Sequence, residues 1–297
     1  MYITSYDRSA YYILGLVHIM SPKPLVSLIR LGRTKYLPAL KLQHYLVEKV
    51  KASRQKVTTS ELNTHNNANI FGHSLNYLLI LEHEPVYTTG IRNRNQYLKE
   101  AEKSNLSALG ADFVQTDRGG LITFHGPGQL VAYPILNLEN FIPENSSLPA
   151  NNKKTNVIGT RWYVNTLEQS VIDLLKSNFG LKSHRSVHTG VWLGEEDEGS
   201  ERKICAMGLR NSQLVTSHGL ALNCNIDLNW FNHIVPCGIE GKGVTSITKE
   251  INLEGSGNET TVESVIPYYV DAFKRNFQCD VRDHDNSEFI EYLSSVS

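Results

Sequence analysis

The chain has 297 residues, 40% of them hydrophobic, and 29 Lys and Arg against 30 Asp and Glu for a formal net charge of −1. That length and apolar content supply the core of one large domain or two small ones, and the near-neutral charge gives no pull toward phosphate backbones or anionic lipid, so neither nucleic acid nor membrane is an expected partner. The four cysteines, Cys205, Cys224, Cys237 and Cys279, form no C-x-x-C pair and no regular framework, which points to free thiols in a reducing compartment.

Residues 1–24 read as an N-terminal extension with weak targeting character. The apolar run Tyr11 to Met20 is too short to span a bilayer and is interrupted by His18, and only Arg8 and Lys23 stand against Asp7 where a transit peptide is usually Arg-rich. Residues 36–50 place Tyr36, Ala39, Leu40, Leu42, Leu46, Val47 and Val50 at helical spacing, with Thr34 as the expected N-cap and Pro38 in the first turn. The polar stretch from Lys51 to His73 reads as a mobile insertion, followed by a strand over Tyr77 to Leu81.

Further short strands are expected at Leu121 to Phe124, Leu130 to Leu136, Val191 to Leu193, Ile204 to Leu209, Leu214 to Ser217 and Leu220 to Asn225. A helix over about 161–179 repeats Tyr163, Leu167, Val171, Leu174 and Leu175 and stops at Gly180. Another, over about 261–277, carries the capping box Thr260-x-x-Glu263, the stripe Val262, Val265, Ile266, Tyr269, Phe273 and Phe277, and a kink at Pro267. Hairpin-spaced strands beside helical crossovers predict an α/β domain with a mixed sheet, α+β-like in part, and no internal repeats.

Three segments carry chemistry. The run Asp117-Arg-Gly-Gly-Leu-Ile-Thr-Phe-His-Gly-Pro-Gly-Gln-Leu-Val-Ala-Tyr-Pro134 packs two glycine clusters around a histidine, so its backbone can approach a ligand closely while Arg118 and His125 add donors, although an isolated glycine-rich hairpin more often serves only its turns. In Lys203-Ile-Cys-Ala-Met-Gly208, strand alternation puts Lys203, Cys205 and Met207 on one face; the commoner use of such a lysine is to reach solvent, here after the acidic stretch Glu195 to Glu201 read as a solvated hairpin tip. Pro236-Cys237-Gly238 sets a thiol between two residues that break regular structure, so Cys237 is expected on a loop as an accessible nucleophile, whereas Cys205, Cys224 and Cys279 read as small buried hydrophobes.

Together these segments resemble the lipoyl(octanoyl) transferase family over roughly residues 25–50 and 76–275. The resemblance rests on Glu82-His-Glu-Pro-Val-Tyr-Thr-Thr-Gly90, on Arg118-Gly-Gly-x-x-Thr-Phe-His-Gly-Pro-Gly-Gln-Leu130 with Tyr133-Pro134, and on Lys203 to Gly208. It continues through Ser217-His-Gly-Leu-Ala-Leu-Asn223 and Pro236-Cys-Gly238 to Val244-Thr-Ser246. It implies the fold of biotin and lipoate protein ligases, with residues 25–297 as one catalytic domain and surface insertions near 51–75, 143–160 and 194–201.

By the same resemblance Cys237 is the acyl-thioester nucleophile and Lys203 the residue that lowers its pKa and handles protons. The substrate walls are Arg118, Gly119, Gly120, Leu121, Ile122, Thr123, Phe124 and His125, then Ala206, Met207 and Gly208, then Gly219, Leu220 and Ala221. No cofactor or metal is implied. The implied donor is octanoyl-acyl carrier protein, and the implied acceptors are lipoyl domains of 2-oxoacid dehydrogenase complexes and the glycine-cleavage H protein; the insertions and the extended N-terminus lean toward a mitochondrial location, with the cytoplasm as the alternative for a bacterial chain. The sequence departs from the family pattern at Phe124, where Tyr is usual and a lost hydroxyl would alter pocket polarity, and at Cys224, where a small aliphatic residue is typical.

An ATP-dependent lipoate-protein ligase of the same fold is the nearest rival reading. Gly238-Ile-Glu-Gly-Lys-Gly243 has the wrong spacing for a phosphate-binding loop, and the eleven histidines include no H-E-x-x-H.

Overall fold

A computed structural model describes residues 23–61, 75–91, 100–141, 159–195, 199–239, 241–253, 257 and 259–296. Most of the N-terminal extension and most of the expected insertions at 51–75 and 143–160 lie outside the described residues.

In chain order the elements are β1 (Leu25–Thr34), α1 (Tyr36–Glu61), β2 (Tyr77–His83), β3 (Val86–Thr89), α2 (Glu100–Ala108), β4 (Asp112–Gln115), β5 (Thr123–His125) and β6 (Gln129–Ile135). They continue with α3 (Thr160–Phe179), β7 (His184–Arg185), β8 (Val191–Leu193), β9 (Arg202–Ser212), β10 (Val215–Asn223), β11 (Gly243–Val244), α4 (Ile247–Leu253), α5 (Val262–Phe277), β12 (Asp280–Asp283) and α6 (Ser287–Val296).

The large sheet runs β12-β1-β2-β6-β10-β9-β8-β7, with β11 beside β9, and a small sheet runs β4-β3-β5. β1 is parallel to β12 and β2, whereas β2-β6, β6-β10, β10-β9 and β9-β8 are antiparallel, so the mixed α/β sheet expected from the sequence is present. Both faces of the large sheet are covered. Leu78 and Ile80 of β2 point into a core shared with α3 and α5, while Tyr77, Leu79 and Leu81 point into a second core shared with α1 and α6. A strand buried on both faces has no polar face, which is why β2 reads as a continuous apolar run.

The structure departs from the sequence reading in several places. Thr34 does not cap α1; it ends β1, a strand not expected, whose alternation is broken by a register shift between Arg30 and Gly32, where Gly32 has φ +63°. α1 runs on to Glu61, through residues read as the start of an insertion. The two runs at 214–217 and 220–225 are one strand, β10. The cap of α5 is Thr261, whose side chain accepts from the Ser264 N–H, while the N–H of Thr260 donates to Thr248 Oγ1; Pro267 lies within the helix, which continues past it. Gly180 does end α3, in a left-handed conformation.

Two further corrections concern side chains. Glu201 is not part of a solvated tip: it is buried and receives Lys242 Nζ at 2.8 Å and His184 Nε2 at 3.0 Å. Nor do Lys203, Cys205 and Met207 share a face. A bulge pairs Val191 with Cys205 but Trp192 with Lys203, so Ile204 and Cys205 both enter the core while Lys203 stays on the other side.

Candidate active site

Where the loop before β5 meets β9 and β10, the chain encloses a cavity of about 400 Å³. One wall is Arg118, Gly119, Gly120, Leu121, Thr123 and His125; the other is Lys203, Ala206, Met207, Gly208, Gly219, Leu220 and Ala221. The walls touch through backbone, Gly119 N–H donating to Leu209 C=O at 3.0 Å, and a Cβ on Gly208 would come within 2.9 Å of Gly119 O and Arg118 Cδ. Only a residue without a side chain allows that approach.

Cys237 closes the cavity from a tight helical turn at Pro236–Gly238, itself in a left-handed conformation with φ +57°. The turn is clamped to both walls. The Cys237 N–H donates to Ile122 C=O at 2.8 Å, and a few residues on, β11 pairs Val244 with Lys203 while Thr245 N–H donates to Lys203 C=O at 3.0 Å. The loop nucleophile and the lysine thus line one cavity although they come from different elements. Lys203 Nζ lies 4.7 Å from the centroid of the Trp192 ring, with no paired carboxylate among the described residues. Cys237 is half-buried, whereas Cys205, Cys224 and Cys279 are buried, with thiol pKa values that burial pushes well up, to about 12 for Cys224 and Cys279.

Polar groups gather around Arg118. Its guanidinium is buried and donates to Thr88 C=O and Thr88 Oγ1, each at 2.8 Å, and to Gly119 C=O at 3.0 Å, while its Nε is buried without a partner. Burial lowers its pKa, opposed by nearby Tyr36 and by Cys237, which places the fixed charge within electrostatic reach of the thiol. Burial also holds His125 down to about 3 and His83 to about 4, so both are neutral at pH 7, and it raises the Tyr36 phenol to about 12. His125 Nδ1–H donates to Gln129 Oε1 at 2.7 Å, Gln129 Nε2 to Asn223 Oδ1 at 2.8 Å, and Asn223 Nδ2 to Thr245 C=O at 2.8 Å. This chain connects His125 to the segment that follows Cys237.

The model of the lipoyl protein ligase A/B catalytic domain matches residues 35–274. A mitochondrial octanoyl-acyl-carrier-protein:protein N-octanoyltransferase of Danio rerio is 43% identical over 257 residues, covering 86% of this chain and 94% of that protein. The chain belongs to the lipoyl(octanoyl) transferase family. An octanoyltransferase of Flavobacterium johnsoniae is 44% identical over 200 residues, 67% of this chain and 78% of its own. Among solved structures, lipoate-protein ligase A bound with ATP superposes with a TM-score of 0.56 over 91% of this chain and 92% of that one at 12% identity, which establishes a shared fold. The family is one of acyltransferases, as the sequence motifs imply.

Of the residues singled out in sequence, Ile122 and Phe124 do not line the cavity. They alternate away from Thr123 and His125 into a third apolar cluster, where Phe124 stacks on Trp230 at 4.8 Å and meets Phe231 edge-on. The missing hydroxyl at Phe124 therefore leaves the cavity's polarity unchanged, and Cys224 likewise sits in the core. Tyr36, Tyr133 and His218 do line it and were not singled out, although Tyr133 and His218 stand inside the quoted motifs. A histidine in the middle of a buried strand was the available signal. Among the described residues no group of three or more His, Cys, Asp or Glu could hold a metal ion, and no helix is long and apolar enough to cross a membrane.

Proposed function

We propose that this chain transfers an octanoyl or lipoyl group from acyl carrier protein to a lysine of a lipoyl domain through a thioester on Cys237, the first step of endogenous protein lipoylation. The observation that carries the reading is that Cys237 and Lys203 line the same cavity as the Arg118 to His125 wall, in a chain whose relatives are named octanoyltransferases. Residues 25–297 act as one catalytic domain. The word mitochondrial in the relatives' names supports a mitochondrial location.

A thiolate is the reactive form of cysteine, and cations favour it. Lys203 takes the Cys237 proton, with Arg118 adding fixed positive charge; the thiolate attacks the acyl-carrier thioester, and the carrier sulfur leaves with the C–S electron pair and takes that proton from Lys203. Backbone N–H groups near Gly120 or Gly208 face the developing oxyanion, the Gly119 N–H being taken by Leu209 C=O. The methylenes lie against Leu121, Met207, Leu209 and Leu220. Exchange of one thioester for another is nearly balanced, and the amide formed with the acceptor lysine is stable, so no ATP is consumed. The acceptor arrives as an ammonium and must lose a proton before it attacks, which gives Lys203 a second task as proton shuttle.

Intact-protein mass spectrometry tests this. Wild type mixed with octanoyl-acyl carrier protein, without ATP or metal, is expected to gain one octanoyl group at Cys237 that a lipoyl domain discharges; Cys237→Ser is expected to gain no dischargeable adduct. Modification of the acceptor only when free acid and ATP are supplied would replace this reading by that of a ligase.

A further inference from the structure

Five non-glycine residues among those described have a left-handed backbone: Gln213, Leu214, His218, Cys237 and Gln278. Gln213 and Leu214 are the two-residue turn between β9 and β10, and Gln278 is the C-cap of α5, places where that conformation is what the turn or cap requires. His218 and Cys237 have no such local reason, and both line the cavity. Strain of this kind persists only where the surroundings impose it.

At His218 the surroundings are specific. Its N–H donates to Gln43 Oε1 of α1 at 2.8 Å, and its ring Nε2–H donates to Asp117 Oδ1 at 2.9 Å. The other Asp117 oxygen holds Arg210 and lies 3.7 Å from His44 Nε2. With the proton of the neutral ring on Nε2, Nδ1 carries a lone pair, and Nδ1 is buried with no hydrogen-bond partner. The ring meets Tyr133 edge-on at 6.3 Å, and Arg118 and His125 are its remaining titratable neighbours. Burial, helped by the charge of Arg118, depresses its pKa to about 3, so the ring is uncharged at neutral pH. His218 lines the cavity, and a bare acceptor on its ring calls for a donor. The acyl chain has none, whereas the attacking nitrogen of the acceptor lysine does.

We propose that His218 is a further catalytic residue of the acyl transfer, its Nδ1 accepting the proton that the lysine nitrogen gives up as it attacks the Cys237 thioester, with Asp117 as its positioning residue. The inference rests on the thioester reading above. The free amine attacks the carbonyl carbon, a C–N bond forms, and the carbonyl π pair moves onto oxygen. The nitrogen passes one proton to Nδ1, and Asp117 offsets the charge of the imidazolium. The C=O re-forms, the C–S bond breaks with its electron pair on Cys237 Sγ, and that thiolate takes the proton back from His218. Lys203 is then left with the Cys237 thiol and the ammonium of the incoming lysine, and His218 with the second proton.

The test separates the two half-reactions. His218→Gly and His218→Asn both tolerate a left-handed backbone. Each variant is acylated with octanoyl-acyl carrier protein, and discharge is followed by mass in single turnovers with a lipoyl domain or with hydroxylamine, whose weakly basic nitrogen sheds its proton readily once attached. Acylation and hydroxylamine discharge are expected within about threefold of wild type, while discharge to the lipoyl domain falls by about 10²-fold or more. Added imidazole is expected to restore the Gly variant, and Asp117→Asn to give a smaller loss with a shifted pH profile. Lipoyl-domain discharge at the wild-type rate would overturn the proposal, as would parallel loss of acylation and both discharges, since that marks a structural role. A wild type that forms no Cys237 adduct removes the thioester reading itself, and the proposal with it.

Discussion

The wall formed by residues 118–125 is held by side chains, whereas the wall from β9 and β10 is held by main chain. On the first, three hydrogen bonds from Arg118 tie the loop to Thr88 and Gly119, and buried His83 and His125 stand around it, joined by His218, which reaches it from β10. On the second, an antiparallel ladder from Val215↔Ser212 to Leu222↔Cys205 fixes the strands, and Gly219 lets β10 press against Ala132 of β6. The first wall is therefore sensitive to charge and proton number, and the second to volume.

The largest expected effect is of pH on the first wall. His83, His125 and His218 are moved by burial from the usual 6.5 to about 4, 3 and 3. Between those values and 6.5 the unfolded chain binds more protons than the folded one, so stability is full above about pH 6.5 and is lost as pH falls toward 4 and below. Urea unfolding at pH 7.5 and pH 4.5 is expected to differ by on the order of 5 kcal/mol. A flat profile would mean that water reaches these rings and that the wall is not held as described.

Arg118→Leu leaves the Thr88 and Gly119 acceptors without their donor and is expected to destabilise by about 3 kcal/mol in chemical denaturation. A loss below about 0.5 kcal/mol, the size of an exposed substitution, would erase the contrast between the walls. Lys203→Arg sharpens it in the other sense. The Trp192 face accepts a guanidinium, so the fold is expected to survive, while turnover drops by about 10²-fold because guanidinium does not release a proton readily. Near-normal turnover would reduce Lys203 to an electrostatic role. The smallest effect belongs to the second wall: Gly219→Ala drives a Cβ into Ala132 O and Pro134 Cδ, and is expected to cost about 2 kcal/mol without altering the pH profile of stability.

Much of the scaffold was legible along the chain. β2, β6 and β8 show as apolar runs bounded by breakers, α3 as a 3.6-residue stripe ended by Gly180, and α5 as a stripe with a threonine at its start, because local stereochemistry writes these periods directly into the sequence. β1 did not show, since its bulge breaks the alternation and its residues divide between two cores. The thiol, the lysine and the glycine-rich wall were legible as residue types in ordered motifs. Phe124 was not placed correctly, because the side of the sheet it faces depends on Trp230 and Phe231, more than a hundred residues on.

The sequence alone thus showed the longer, regular elements, β2, β6, β8, α1, α3 and α5, and the motifs that hold Cys237, Lys203 and the glycine-rich run, because helical and strand periods, caps and breakers act over a few residues. Only the tertiary structure decided which of those side chains meet. The bulge that sends Ile204 and Cys205 to the core and keeps Lys203 in the cavity wall is set by pairing with β8. The turn that brings Cys237 beside both walls is set by a hydrogen bond to Ile122, and the orientation of His218 by Asp117 and Gln43, 101 and 175 residues away. Contacts at such separations leave no period in the chain, so they appear only once the sheets have closed around the cavity.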